Sequence, residues 1–269
     1  MTLRMGDYTS QAFPINNRTP QGSPLLPILS ALYTASLLDI AKTWAHKDLT
    51  LYVDNGTIYA TSATTTAATE AALEGYKEVL GWLRANGLDA DLSKTELMTF
   101  TRQRTNPDIV GGPNTEARYN DPIRGCCTVR TVTHLRYLGV YINRSLKWDR
   151  HVSIMTNRAR STIRGINLLG NSVRGLDFLN WRKVYNALVI PTLTYGAQVW
   201  YTGIGQKGLL HKMQVTQNEG IRKITGVFRT TPVEPLQNLT GVLPIPYLMT
   251  KLMDSYTHRL RAMAPQAMA

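Results

Sequence analysis

An α+β fold is predicted, with strands gathered in residues 1–143 and a mainly helical region in residues 144–269. Three observations carry this reading. Two β-prone runs, Leu49 to Val53 and Thr57 to Ala60, flank Asp54-Asn55-Gly56, and Asn-Gly between such runs signals a type I′ hairpin. Thr128 to Val132 and His134 to Ile142 are again β-prone. From Trp148 onward the apolar residues instead recur at spacings of three and four, the period of a helix.

The elements follow in order. Thr2 to Met5 and Tyr8 to Phe13 alternate around Gly6-Asp7, which suggests a short hairpin. Gln21-Gly22-Ser23-Pro24-Leu25-Leu26-Pro27 opens a helix expected from Pro27 to Ala45, since proline is tolerated in a first helical turn. Such a loop can turn backbone N–H groups toward an anion or nucleotide, or it can be an ordinary helix start. The run Leu25 to Ala41 is broken by Pro27, Ser30, Thr34, Ser36 and Asp39, so it reads as a buried core helix and not as a membrane span.

The Asp54 hairpin aims a carboxylate at solvent from two strands, although Asp-Asn-Gly is also simply good turn chemistry. Ala67 to Asn86 carries Leu73, Tyr76, Leu80 and Leu83 on one face, and Gly87 supplies the residue after its C-cap. A turn then leads into a strand near Glu96 to Phe100, with Lys94 at its entrance. Residues 101–124, rich in Arg, Asn, Pro and Gly, are expected to form a loop. Gly139 inside the next β-prone run marks a bulge or a close backbone approach.

In the helical part, Val152, Met155, Ala159, Ile163 and Ile166 share one face, while Arg150, Asn157, Arg160 and Arg164 fall on the other. The first face packs; the second is cationic and suits phosphate contact, or is a solvated surface. Further helices are expected from Phe178 to Ile190, ended or kinked by Pro191, from Lys207 to Thr225, capped by Gly226, and from Pro246 to Met263. Trp181, Tyr185, Tyr195, Trp200 and Tyr201 read as core residues sooner than as base-stacking platforms.

At 269 residues the chain can bury a substantial core in one large or two smaller units. Its net charge of +12 is unevenly spread: residues 1–100 hold 7 Lys/Arg against 10 Asp/Glu, and the remainder 23 against 8. Arginine excess of this kind points to a polyanion, and nucleic acid fits better than a membrane because no basic segment carries a bulky apolar face. The two cysteines, Cys126 and Cys127, are adjacent, which suits neither a structural disulfide nor a zinc site. With no secretory signal pattern, the expected location is intracellular, nuclear or cytoplasmic, and not secreted.

Taken in succession, four motifs become specific. Gln21-Gly22-Ser23-Pro24 opening a helix, Tyr52-Val53-Asp54-Asn55-Gly56, Gly87-Leu88 through Lys94-Thr95, and Tyr137-Leu138-Gly139-Val140 resemble the second half of the reverse transcriptase palm of non-LTR (LINE-like) retrotransposons. Asn157 to Thr162, Tyr195-Gly196-Ala197 with Val199-Trp200-Tyr201, and Gly226 to Pro232 are similar to the region between the polymerase and the RNase H domain of such elements.

The resemblance implies a partial palm over residues 1–143, an antiparallel sheet with helices on one face, followed by a thumb and connection-like region over 144–269. It implies that Gln21, Gly22 and Pro24 line the template strand and incoming nucleotide, and that Tyr52 and Asp54 belong to the tyrosine-x-aspartate-aspartate hairpin. Asp54 would bind Mg²⁺, or Mn²⁺ in its place. Lys94 would neutralise or protonate the pyrophosphate leaving group, and Leu138 and Gly139 would grip the primer. The helix bearing Arg150, Arg160 and Arg164 lies where a thumb would clamp an RNA template paired with a DNA primer.

The chain departs from the pattern at Asn55, where a second aspartate is expected and an amide supplies no negative charge. Only 20 residues precede Gln21, and no strand there offers the family's upstream metal-binding aspartate. The expectation is therefore a truncated RNA-directed DNA polymerase domain with an incomplete metal site, inactive alone unless another chain supplies the missing palm and fingers. The alternative is a non-enzymatic nucleic-acid-binding remnant.

Overall fold

The computed structural model describes residues 4–5, 7–9, 11, 24–101, 117–169, 177–203 and 205–267. They belong to two compact units, residues 1–99 with 103–132, and residues 100–102 with 133–269. In the first unit, β1 (Arg4–Met5) and β2 (Tyr8–Thr9) form the expected antiparallel hairpin.

The apolar run after Pro24 makes two short helices, α1 (Leu26–Thr34) and α2 (Leu37–Ala41), and not one helix to Ala45. Thr34 folds its hydroxyl back onto the Ser30 carbonyl at 2.9 Å, and Ala35 reaches only to Leu32, so the ladder tightens and breaks just after Thr34. The expectation of a buried core helix also fails. No residue of α1 is buried, Ile28 and Leu32 are exposed, and only Leu37 of α2 enters the core.

Strands β3 (Lys47–Tyr52) and β4 (Asn55–Ala60) pair antiparallel, with Leu49 opposite Ile58 and Tyr52 opposite Asn55. Their inner residues Leu49, Leu51 and Ile58 pack with Leu37 and Val79, the latter from α3 (Thr65–Ala85). That helix is capped by the Thr64 hydroxyl, which accepts the Ala67 N–H, and ends at Gly87 in the left-handed region, φ 72°. Lys47 clamps the strand to the helix: its ammonium lies 3.0 Å from Glu74 and 2.9 Å from Glu78, above the Trp44 ring.

A three-stranded sheet follows, ordered β5 (Glu96–Leu97), β7 (Gly125–Thr131), β6 (Ala117–Asp121), with β5 parallel and β6 antiparallel to β7. Strand β6 lies within the stretch expected to be loop. Its alternation of buried Ala117, Tyr119 and Asp121 was hidden by the polar letters between them. Tyr119 stacks edge-on against Tyr76 of α3, 5.5 Å between centroids. The buried Asp121 carboxylate takes a bidentate pair of bonds from Arg84, at 2.9 and 2.7 Å, and also accepts the N–H groups of Ile123 and Arg124. Those bonds, the Arg84 guanidinium first, hold its carboxyl well below the usual range.

The second unit begins with β8 (His134–Tyr137) and β9 (Val140–Asn143), an antiparallel hairpin where one continuous β-prone run was read. Helix α4 (Asp149–Leu169) follows, then α5 (Phe178–Val184), a π-helical turn over Tyr185–Val189, α6 (Ile190–Leu193) and α7 (Ala197–Trp200). The π turn has a plain cause: Pro191 has no N–H and its ring crowds the carbonyl of residue 187, and the Ile190 N–H reaches five residues back to Tyr185. Helices α8 (Lys207–Thr225), α9 (Val233–Thr240) and α10 (Ile245–Ala267) complete the unit.

The core of this unit joins Val152, Ala159, Ile163 and Ile166 of α4 to Trp181, Tyr185, Trp200, Tyr201 and Met213. Four of the five expected core aromatics are there. Tyr195 is the exception, 46% exposed. Gly220 of α8 lies so close to the Tyr185 ring that a Cβ would overlap it. Gly220→Ala is therefore expected to lower stability by about 1–3 kcal/mol through overpacking, read as a fall in the urea midpoint with an unchanged m-value.

His151 of α4 is fully buried between the hairpin and the helices. Its Nδ1 accepts the Tyr141 N–H at 3.3 Å and its Nε2 donates to the Tyr195 carbonyl at 2.9 Å, the pattern of a neutral ring. Burial, helped by the charge of Arg158 and opposed by the Tyr195 bond, lowers its pKa from the ordinary 6.5. A folded pKa below the unfolded one means that the unfolded chain protonates first as the pH falls. The stabilisation is thus complete above 6.5 and is lost progressively below it. Urea midpoints between about pH 7.5 and pH 5 should fall for the parent chain and fall less steeply for His151→Gln.

Candidate nucleic-acid and catalytic site

Asp54 sits at the tip of the β3/β4 hairpin. Because Tyr52 pairs with Asn55, the two-residue loop is Val53-Asp54, and Gly56 lies inside β4 opposite Leu51. The expected Asn-Gly turn is thus displaced: a loop centred on Asn55-Gly56 would deprive Leu49 of its partner Ile58. The positive φ that a two-residue loop demands falls on Val53, at 55°, a costly conformation for a β-branched residue. Ser30 of α1 donates to the Val53 carbonyl at 3.3 Å, so the helix opened by the Gln-Gly-Ser-Pro motif touches this loop.

Tyr52, Asp54 and Asn55 are all exposed. The Asn55 amide donates to Asp54 Oδ1 at 3.2 Å, so the residue standing for a second aspartate binds the first and adds no charge. Among the described residues no group of three His, Cys, Asp or Glu side chains is placed to hold a metal ion. The donor set described here therefore does not fit a complete two-metal site.

Pro24 lies in the exposed turn before α1, and Gln21 and Gly22 lie outside the described residues. Lys94 ends a 3₁₀ turn over Leu92–Lys94, with its side chain 83% exposed and its ammonium 3.4 Å from Asp91. Asp91 in turn accepts from the Ser93 N–H and hydroxyl, which fixes the turn.

The remaining candidates lie in the second unit. Leu138 and Gly139 form the two-residue loop of the β8/β9 hairpin, both with positive φ, 45° and 83°, as a type I′ turn requires. On α4, Arg150 and Arg164 are exposed, whereas Arg160 is half-buried with its Nε 3.3 Å from Glu219 of α8. The sequence showed no acid on that face because the acid comes from another helix. Arg158 was passed over in the sequence; it reaches the Tyr141 hydroxyl at 3.4 Å, and Arg136 lies 5.8 Å over the same ring. Residues 133–269 carry 18 Lys/Arg against 5 Asp/Glu, so the basic excess of the chain belongs to this unit.

Ser30, Tyr141, Arg158 and Tyr195 are the residues that sequence reasoning missed. Tyr195 and Arg158 each lay in a quoted motif, the Tyr195-Gly196 pair and Asn157 to Thr162, and Gly196 adopts the left-handed region at φ 67°.

No helix among the described residues is long and apolar enough to cross a membrane. No solved structure matches the chain. It is 28% identical over 223 residues to the RNA-directed DNA polymerase from mobile element jockey of Drosophila funebris, covering 80% of this chain and 23% of that protein. It is 25% identical over 209 residues to the probable RNA-directed DNA polymerase from transposon X-element of Drosophila melanogaster, covering 77% and 21%. The retrovirus-related Pol polyprotein from type-1 retrotransposable element R1 3 of Nasonia vitripennis is 29% identical over 122 residues, 43% of this chain and 32% of that one. The chain thus spans less than a third of these curated relatives. The profile of the reverse transcriptase (RNA-dependent DNA polymerase) family matches residues 2–142, which contain the Asp54 hairpin, the Lys94 turn and the Leu138-Gly139 turn, and the chain belongs to that family, in its non-LTR retrotransposon branch.

Proposed function

We propose that this chain serves RNA-directed DNA synthesis, holding an RNA template paired with a DNA primer against the Asp54 hairpin. The observation that carries the reading is the placing of one exposed carboxylate, Asp54, at a strained two-residue loop inside the family-matched segment. Asp54 is proposed as one ligand of Mg²⁺, with Mn²⁺ as a substitute. With the remaining carboxylates supplied from elsewhere, such a site would offer Lewis-acid chemistry for a transfer in which the primer 3′ oxygen bonds the nucleotide α-phosphorus and pyrophosphate leaves.

The chain's own residues have the other roles. Pro24, with Gln21 and Gly22, would line the template and incoming nucleotide beside Tyr52, and Lys94 would meet the pyrophosphate. Leu138 and Gly139 would hold the primer end. Arg150 and Arg164 would meet backbone phosphates, with Arg160 restrained by Glu219. We take residues 1–143 as palm and 144–269 as thumb and connection, acting inside a cell and supplied by another polypeptide segment with the remaining palm and fingers.

With one carboxylate and an amide at the hairpin, the chain alone is expected to bind template–primer without extending it. Primer extension on an RNA template with a DNA primer, in Mg²⁺ and then Mn²⁺, tests this. The parent chain, Asn55→Asp and Asp54→Asn should all be silent; extension by the parent that Asp54→Asn abolishes would show the metal site to be complete.

Binding gives a second test. Affinity for the hybrid should fall steeply as salt rises, and Arg150→Ala or Arg164→Ala should each reduce the slope of log K against log salt by about one. An affinity that is flat in salt would remove the phosphate-clamp role.

A further inference from the structure

The Tyr195-Gly196 pair meets the Leu138-Gly139 turn directly. The Tyr195 phenol donates to the Leu138 carbonyl at 2.8 Å, and its ring fills the space beside Gly139, where a Cβ would stand 2.9 Å from the phenol oxygen. Gly196 is held as closely, since a Cβ there would stand 2.9 Å from Cγ2 of Val140, the first residue of β9. The backbone of Tyr195 is itself anchored. Its carbonyl accepts the Nε2–H of buried His151 at 2.9 Å and the indole N–H of buried Trp200 at 3.2 Å.

A tyrosine in this setting does more than fill a core. It is 46% exposed and contributes little burial, and its polar end is spent on a loop carbonyl that solvent could satisfy equally well. What the bond changes is geometry. Both loop residues lie at positive φ, and Leu138 has a Cβ that disfavours that region, so the turn has a tendency to relax that the phenol opposes.

We propose that Tyr195 is a positioning residue: it fixes the Leu138-Gly139 turn in the one conformation that meets the primer strand, through its hydroxyl on the Leu138 carbonyl and its ring against Gly139. This rests on the reading of Leu138 and Gly139 as the primer-holding turn, and it gives the Tyr195-Gly196 motif a task in that site. It also accounts for two glycines, Gly139 and Gly196, facing each other's segments where any side chain would part them.

The test uses the full chain, a labelled RNA template annealed to a DNA primer with a recessed 3′ end, and the same RNA single-stranded. Tyr195→Phe removes the hydroxyl that holds the turn and should weaken binding of the recessed hybrid about three- to tenfold, as the turn spends less time in its binding conformation. Single-stranded RNA affinity and the melting temperature should not change, and amide exchange at Gly139 and Val140 should quicken. Gly139→Ala, which strains the turn and pushes it off the ring, should show the same loss of hybrid over single-stranded binding, with a lowered melting temperature.

Leu138→Asp separates the two claims. If it weakens hybrid binding while Tyr195→Phe and Gly139→Ala match the parent, the turn holds primer but Tyr195 does not position it. If all three match the parent, the turn does not hold primer and the inference falls with that reading. Equal losses for both nucleic acids, with a lowered melting temperature, would make Tyr195 a residue of the fold alone.

Discussion

A two-residue hairpin loop closes only when its first residue enters the left-handed half of backbone space, and this constraint governs both hairpins that carry the chain's motifs. In each, a residue with a Cβ bears it: Val53 at φ 55° and Leu138 at φ 45°. Such conformations persist only where surrounding contacts over-determine them. Much of the rest of the structure supplies those contacts. For the first loop they are the register of Leu49 against Ile58 over α3, the Lys47 clamp on Glu74 and Glu78, and the Ser30 bond to Val53. For the second they are Tyr195, Gly196 and His151.

The division of charge follows from the same economy of roles. The first unit uses its arginines internally: Arg84 and Arg124 meet Asp121 and Asp89, and Arg130 stands 3.7 Å from Glu96. These pairs tie α3 and the turns to the three-stranded sheet. In the second unit only Arg160 and Lys212 form ion pairs among the described residues, with Glu219 and Asp149, against 18 basic residues over 133–269 alone. A unit with so few acids carries a self-repulsion that counter-ions or a bound polyanion would relieve.

How much of this was legible depended on whether the signal was local. The α+β class, the helix α3 with its Gly87 ending, and α8 with its Gly226 cap were readable because caps and period are written in consecutive letters. The Asp54 hairpin was readable, but its loop was misplaced by two residues, because the pull of Asn-Gly is local whereas the register is set by α3 from elsewhere in the chain. Strand β6 and the break between α1 and α2 were missed, the one for polar alternation and the other for the back-bonded Thr34. At the site, single residues were found and their partners were not: Arg160 was legible and Glu219 was not, since 59 positions separate them.

Tyr195 shows why that gap matters for function. Aromatic letters in a helical region default to core, and four of five obeyed. The fifth is distinguished by what its hydroxyl touches, a carbonyl 57 positions earlier in the turn of the β8/β9 hairpin. Nothing in composition or period encodes such a pairing, but glycine does leave a trace of it. Gly139 and Gly196 each stand where a Cβ would strike the other segment, so the two short motifs Leu138-Gly139 and Tyr195-Gly196 are one structural object written in two places. A motif that looks inert in sequence is then best read by asking which second motif its glycine makes room for.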